Sequence, residues 1–330
     1  MQSFTYLRAA SVDEARRALD AAPASRLLAG GTTLYDLMKL GVEQPRQVVD
    51  INGVAELAHF DTSGKRELMF GSLARMSDVA ADKHLNAAYP ALAESLWRAA
   101  SQQLRNMASL GGNLLQRTRC AYFRGGEPYA CNKRQPGSGC AAIDGLDRGH
   151  ALLGTSAHCI ATYPGDWAIA LAAFDAVVDV LGPRGARSIA LDALHRPPGD
   201  TPHLETTLAP GEIILRIRVP VTPLGKGSAF HKIRDRESYA FALASAAVAV
   251  TLSGDTVKEA RIAVGGVATT PWRARDAERQ LVGQRLTLKT AQAAGQAVFA
   301  NARIGHHNGF RADLGARTVA DALLIAAERA

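Results

Sequence analysis

Leu27-Leu28-Ala29-Gly30-Gly31-Thr32-Thr33 joins a short apolar run to a helix-forming one through two consecutive glycines. Arg26 to Ala29 reads as a strand and Leu34 to Leu40 as a helix, so the glycines mark a strand-to-helix turn. Such a turn lets successive backbone N–H groups converge on an anion, and the helix start adds a partial positive charge. Thr32 and Thr33 supply hydroxyl donors beside them. The combination suits a pyrophosphate; the plain alternative is a tight turn with no ligand. The spacing is not G-x-G-x-x-G, so a Rossmann dinucleotide fold is excluded.

Working outward, Phe4 to Leu7 reads as a strand, and Ser11 with Glu14 forms a capping-box pattern ahead of a helix carrying Ala15 and Leu19. Val48 to Ile51 is a further strand, and a small α/β lobe closes near Asn52. A second lobe begins at the strand Leu68 to Phe70. Two helices follow, Asp78 to Ala88 behind the cap candidate Ser77, and Ala91 to Leu104. Ser109-Leu110-Gly111-Gly112-Asn113 then repeats the composition of the first turn, as expected of a dinucleotide held at two places or of two unrelated turns. Asp166, in Pro164-Gly165-Asp166-Trp167, opens an Ala-rich helix; it reads as an N-cap, or as an acceptor for ribityl or ribose hydroxyls. Strands at Ala176–Leu181 and Ile213–Val219 complete the lobe, and Pro220 to Gly227 is the expected boundary. Beyond it come strands at Ser228–Ile233, Ala240–Leu252 and Val257–Val264, with a hairpin turn at Ser253-Gly254-Asp255. Three helices end the chain, starting at Pro271, at Leu288 and near the C-terminus. The fold class is α+β.

All four cysteines, Cys120, Cys131, Cys140 and Cys159, fall in one 40-residue window of the 330-residue chain. The window holds seven glycines between Gly125 and Gly154, and Pro128 and Pro136, so it reads as an ordered loop or insertion. The spacing C-x10-C-x8-C-x18-C contains no C-x-x-C pair and matches neither a zinc ribbon nor a bacterial ferredoxin. Long spacings still permit a four-thiolate site, because loop closure costs little extra with length. Iron–sulfur and zinc are not separable on spacing, and buried unrelated thiols are the other reading. Disulfides fit poorly: Met1-Gln2-Ser3-Phe4-Thr5-Tyr6-Leu7 carries no charged-then-apolar signal, and synthesis in a reducing cytosol is expected. Cytoplasmic residence, or periplasmic residence by co-export on a partner's signal, is the expected localisation.

Composition narrows the rest. The chain is 47% hydrophobic and 21% charged, with no apolar run long enough for a membrane span. The formal charge of +7 comes without a nucleic-acid module, and Arg117, Arg119, Arg124, Lys133 and Arg134 bias the cysteine window toward positive charge. No Ser-His-Asp set, H-E-x-x-H or paired carboxylates offers hydrolytic machinery.

Taken in order, Ala29-Gly30-Gly31-Thr32-Thr33, the R-N-x-A-S-L-G-G-N run at 105–113, the Asp166 helix, G-E-I-I-x-x-I-x-V-P at 211–220 and F-H-K-I-R-D-R at 230–236 resemble one family. It is the FAD-binding subunit of xanthine-dehydrogenase-type molybdenum hydroxylases, and the resemblance covers essentially the whole chain. The stretch L-L-Q-R-T-R-C with C-N-K-R-x-P-G-S-G-C is most similar to the flavin/[4Fe–4S] subunit of bacterial periplasmic aldehyde oxidoreductases.

That resemblance implies a two-lobed vanillyl-alcohol-oxidase-type FAD-binding domain over 1–222, in lobes 1–55 and 56–222, with a [4Fe–4S] insertion at about 117–160. A C-terminal α+β domain of the carbon-monoxide-dehydrogenase-flavoprotein kind would occupy 223–330. It implies that Leu28, Ala29, Gly30, Gly31, Thr32, Thr33, Leu34, Tyr35 and Asp36, with Ser109, Gly111, Gly112 and Asn113, hold the FAD pyrophosphate. Family members usually carry Thr where Ser109 stands, and the hydroxyl is retained. Asp166 would bind the ribityl side, Ile213 and Lys232 would lie near the isoalloxazine, and Cys120, Cys131, Cys140 and Cys159 would ligate the cluster. The implied activity is electron transfer within a molybdenum-dependent aldehyde oxidoreductase, with no catalytic residue of its own and no aldehyde turnover by this subunit alone. Partners would be a molybdenum-cofactor large subunit and a [2Fe–2S] small subunit in a heterotrimer, with an external electron acceptor, no nucleic acid and no membrane. The rival readings are a stand-alone FAD oxidase with a structural four-Cys zinc site, and a zinc-stabilised scaffold with no redox role.

Overall fold

Three sheets organise the computed structural model, which describes residues 1–22, 24–126 and 128–330. The first is parallel and runs β1 (Thr5–Arg8), β3 (Gln47–Asp50), β2 (Ser25–Leu28) in space, with Thr5 and Ser25 both opposite Gln47. Parallel neighbours need crossovers, which helices Val12–Ala21 and Leu34–Lys39 provide. Val12, Ala15 and Ala18 face the sheet at helical spacing. Ser11 Oγ accepts from Glu14 N at 3.2 Å, while the Glu14 carboxylate reaches back to Ala10 N at 2.8 Å, one residue earlier than a strict capping box.

The second sheet is antiparallel, ordered β4 (Phe60–Asp61), β5 (Glu67–Gly71), β8 (Ile213–Pro220), β6 (Val177–Gly182), β7 (Gly185–Ala190). Between β5 and β6 the chain makes its long excursion through short helices and the cysteine window. Helix Trp167–Ala173 returns from it fully buried, with the Trp167 ring edge-on to Phe70 at 5.6 Å. Truncating so large a buried ring costs about 3–5 kcal/mol.

The third sheet runs β9 (Ser228–Ile233), β10 (Ala244–Ser253), β11 (Thr256–Gly265), β12 (Trp272–Arg273), with neighbours in spatial order 12-11-10-9 and all pairs antiparallel. Both of its faces are covered. Ala247, Ala249 and Ala263 join the core around Trp167, whereas Ala246, Val248, Val250 and Ile262 join the core under helices Arg275–Leu281, Leu288–Val298 and Phe310–Ala327. Double coverage explains why residues 246–250 of β10 are an unbroken apolar run instead of an alternating one. The first sheet's core likewise reaches into the second lobe, through Leu73 and Ile213.

Several elements depart from sequence expectation. The helix expected at Asp78–Ala88 is two, Met76–Ala80 and Lys83–Ala88, and the cap is Asp82, not Ser77. Asp82 accepts from Leu85 N at 2.7 Å and from the Thr62 hydroxyl at 2.8 Å. The helix expected at Ala91–Leu104 breaks into Pro90–Trp97 and Gln102–Met107 at Ala100, whose φ is +48°. Pro271 starts no helix; Trp272 and Arg273 pair with Val264 and Ala263, and the helix begins at Arg275.

Candidate flavin site

Where the three sheets meet, a cavity of about 1350 Å³ opens between the two glycine turns and the loop at 195–212 leading into β8. It exceeds the usual small-molecule pocket and has the size a dinucleotide needs. Ala29, Gly30, Gly31, Thr32, Thr33, Leu34 and Asp36 of the first turn line it, as do Ser109, Gly111, Gly112 and Asn113 of the second, with Asp166 and Ile213. Leu28, Tyr35 and Lys232 do not line it, although the family resemblance places them among the cofactor residues.

The turns touch. A Cβ on Gly30 would stand 1.9 Å from Met107 O, so the first turn is seated on the segment leading into the second. Gly31 adopts φ +73°, a conformation that costs glycine nothing. Among the described residues, the N–H groups of Gly30, Gly31, Thr32 and Thr33 donate to no protein acceptor. Four half-exposed donors in succession on a cavity wall fit an anionic ligand. Polar atoms of the wall are also left over: Ser25 Oγ, Ser72 Oγ and Asn113 Oδ1 are buried without hydrogen-bond partners. The residues present fit FAD, with phosphate oxygens answering the donors and flavin or ribityl groups answering the acceptors.

Asp166 sits at the start of its helix but caps nothing. Its carboxylate instead takes the Lys232 ammonium at 2.7 Å, and Lys232 also donates to Arg98 O at 3.0 Å. The plain N-cap reading therefore fails, and Lys232 acts from behind the wall by orienting Asp166. Burial pushes the Asp166 carboxyl up, and the adjacent ammonium opposes that shift. Sequence reasoning missed His195. Its Nε2 lies 2.9 Å from Leu114 O, Tyr163 OH donates to the same carbonyl at 3.1 Å, and the two rings meet edge to face at 4.6 Å. Burial pulls His195 down to about 4, so it is neutral and its Nε2–H fixes the helix Leu110–Leu114. No local pattern marks a lone histidine in a loop for that task.

The cysteines lie beyond the turn's helix. Cys131 and Cys140 face each other across an isolated antiparallel bridge, and Cys131 packs with Leu37 and Phe123, beside Cys120. All four are free thiols. Burial pushes Cys120 and Cys159 up to about 11, and thiol neighbours add to it: Cys131 and Cys140 for the first, Cys140 and Cys120 for the second. His150 Nε2 stands 3.2 Å from Cys120 Sγ. The thiols are thus grouped about one place, but among the described residues no three ligand side chains converge as a metal-holding set. The donor types are those of a cluster or zinc site.

These features define a flavin-binding subunit, and the comparisons agree. Residues 2–222 match the FAD binding domain in molybdopterin dehydrogenase, and residues 228–326 match the CO dehydrogenase flavoprotein C-terminal domain. The chain belongs to the FAD-binding subunits of the molybdenum hydroxylases, a family of oxidoreductase subunits. It is 44% identical to the aldehyde oxidoreductase FAD-binding subunit PaoB of Escherichia coli K12, over 100% of both chains. It is 28% identical to the glyceraldehyde dehydrogenase medium chain of Sulfolobus acidocaldarius, over 86% of this chain and 82% of that one. Among solved structures, the carbon monoxide dehydrogenase of Hydrogenophaga pseudoflava that lacks the Mo-pyranopterin moiety superposes with a TM-score of 0.77. That match is at 26% identity and covers 99% of this chain and 98% of the other.

Proposed function

We propose that this chain is the FAD and [4Fe–4S] electron-transfer subunit of a molybdenum-dependent aldehyde oxidoreductase. Its partners are a molybdenum-cofactor large subunit and a [2Fe–2S] small subunit, and it hands electrons to an external acceptor. The observation that carries the reading is the row of unengaged N–H groups from Gly30 to Thr33 on a dinucleotide-sized cavity. Full-length identity to an aldehyde oxidoreductase subunit supports the aldehyde assignment.

Bound FAD supplies one- and two-electron chemistry, and this chain supplies position and potential. Gly30 to Thr33 hold phosphate oxygens, Asn113 Oδ1 accepts from the ligand, and Asp166, oriented by Lys232, accepts from ribityl hydroxyls. Cys120, Cys131, Cys140 and Cys159 are the ligands for the cluster; their freedom from disulfides, the Cys131–Cys140 bridge and the packing of Cys131 beside Cys120 support this.

The test is iron, acid-labile sulfide and FAD per chain on anaerobically purified protein, with electron paramagnetic resonance after dithionite reduction. Four irons and four sulfides per FAD are expected, with a reduced-cluster signal lost in Cys131→Ser. One zinc and no sulfide would remove the cluster and leave a flavoprotein with structural thiols.

A further inference from the structure

We propose that the cysteine segment braces the first glycine turn, so that FAD binding and the order of that segment reinforce each other. The helix Leu34–Lys39 follows the open N–H groups directly and has only six residues, too few to stand without tertiary support. The support comes from the cysteine segment. Arg124 holds Asp36 with both guanidinium nitrogens, at 2.7 and 3.1 Å. Phe123, wholly buried, packs with Cys131 against Leu37, which lines the cavity. Arg117 lies over the Phe123 ring at 4.6 Å and ties Glu43, on the return to β3, to Glu205 of the opposite wall at 2.6 and 2.7 Å.

Phe123 does not line the cavity, so any effect it has on the ligand must pass through the cavity residues it packs against, Leu37 and Arg117. It is a positioning residue for the dinucleotide. Because coupling between two binding or ordering events is reciprocal, FAD must steady the cysteine segment as much as the segment steadies FAD. The inference rests on the reading that FAD meets the Gly30–Thr33 turn, and it holds whichever metal the thiols carry.

Hydrogen exchange of the full-length chain, stripped of FAD and then reloaded, tests it, with the amides of β10 as the reference for global stabilisation. Turn 29–34 and residues 120–126 and 130–135 are expected to exchange at least about tenfold more slowly with FAD, beyond any slowing in β10. In the other direction, Phe123→Ala raises the Kd for FAD about tenfold and Phe123→Leu recovers most of it, with circular dichroism confirming the fold of both. If turn 29–34 slows while the cysteine segment follows β10, or if Phe123→Ala binds FAD within about twofold of the parent, the brace is wrong and the site reading stands. If turn 29–34 does not slow, the site reading fails and takes the brace with it.

Discussion

The two glycine pairs share a composition and divide their work differently. In each, the first glycine is a packing residue: a Cβ on Gly30 would strike Met107 O at 1.9 Å, and one on Gly111 would strike Ser72 Cβ at 2.8 Å. The second glycine of each pair meets only a side chain: a Cβ on Gly31, at positive φ, would stand 3.3 Å from Leu28 Cδ1, and one on Gly112, within a short helix, 2.9 Å from Ser109 Oγ. The hydrogen bonds then diverge. The first turn keeps its N–H groups unengaged, whereas the second spends them: Leu110 N on Ala74 O, Gly111 N on Ser72 O, Gly112 N on Ser109 Oγ and Asn113 N on Ser109 O. One loop therefore presents donors for phosphate. The other offers a close-packed wall and a single acceptor, Asn113 Oδ1. A Gly-Gly pair in sequence announces a close approach of backbone, not which partner approaches.

The largest effect that would break this contrast is Gly30→Ala. Its new Cβ meets rigid backbone, so FAD retention is lost and stability falls by about 3 kcal/mol, read by flavin content and urea unfolding. Gly112→Val sharpens it. Beyond the movable Ser109 Oγ the added side chain enters the cavity, so the fold persists while FAD binding weakens roughly a hundredfold, about 2.7 kcal/mol by titration. Equal loss of stability in the two variants would sink the distinction.

Asp179 sets the scale for a change remote from both turns. Burial alone would push its carboxyl up, but hydrogen bonds from Arg218, Arg216 and Ser188 outweigh that and hold it at about 2. A folded-state value below the unfolded one means the stabilisation is complete above pH 4 and disappears as pH falls toward 2. Asp179→Asn should cost about 2 kcal/mol at pH 7 and flatten that acid limb, with FAD affinity unchanged.

How much of this could be read beforehand depended on whether the cause was local. Ser228–Ile233, the turn glycines and the capping serine at position 11 declare themselves through nearby residues. The break at Ala100 does not, because the cations that take the freed carbonyls of Arg98 and Ala99 include Lys232 and Arg234, far along the chain, beside the nearer Arg105. β7 was missed for a different reason. As an edge strand with Gly185 to Ser188 exposed it has no alternation to detect. In the site, the sequence pattern pointed to the turn residues that line the cavity and to Asp166, and also to Leu28 and Tyr35, which do not line it. Lys232 was visible as a residue but not in its role, and His195 was not visible at all.

Arg311 has a consequence for the order in which the molecule is made. On the last helix, its buried guanidinium donates to Leu243 O at 2.8 Å and His150 O at 2.7 Å, and also reaches Ala242 and Gly266. Ala242 and Leu243 end the loop that walls the flavin cavity with residues from 235–241, and His150 lies within the cysteine segment. On the ribosome, the two glycine turns emerge before residue 310, but the carbonyls remain without this donor until the helix Phe310–Ala327 has been synthesised. The cofactor chamber is therefore closed by a residue far along the chain, and a nascent chain cannot complete it until Arg311 and its helix have emerged.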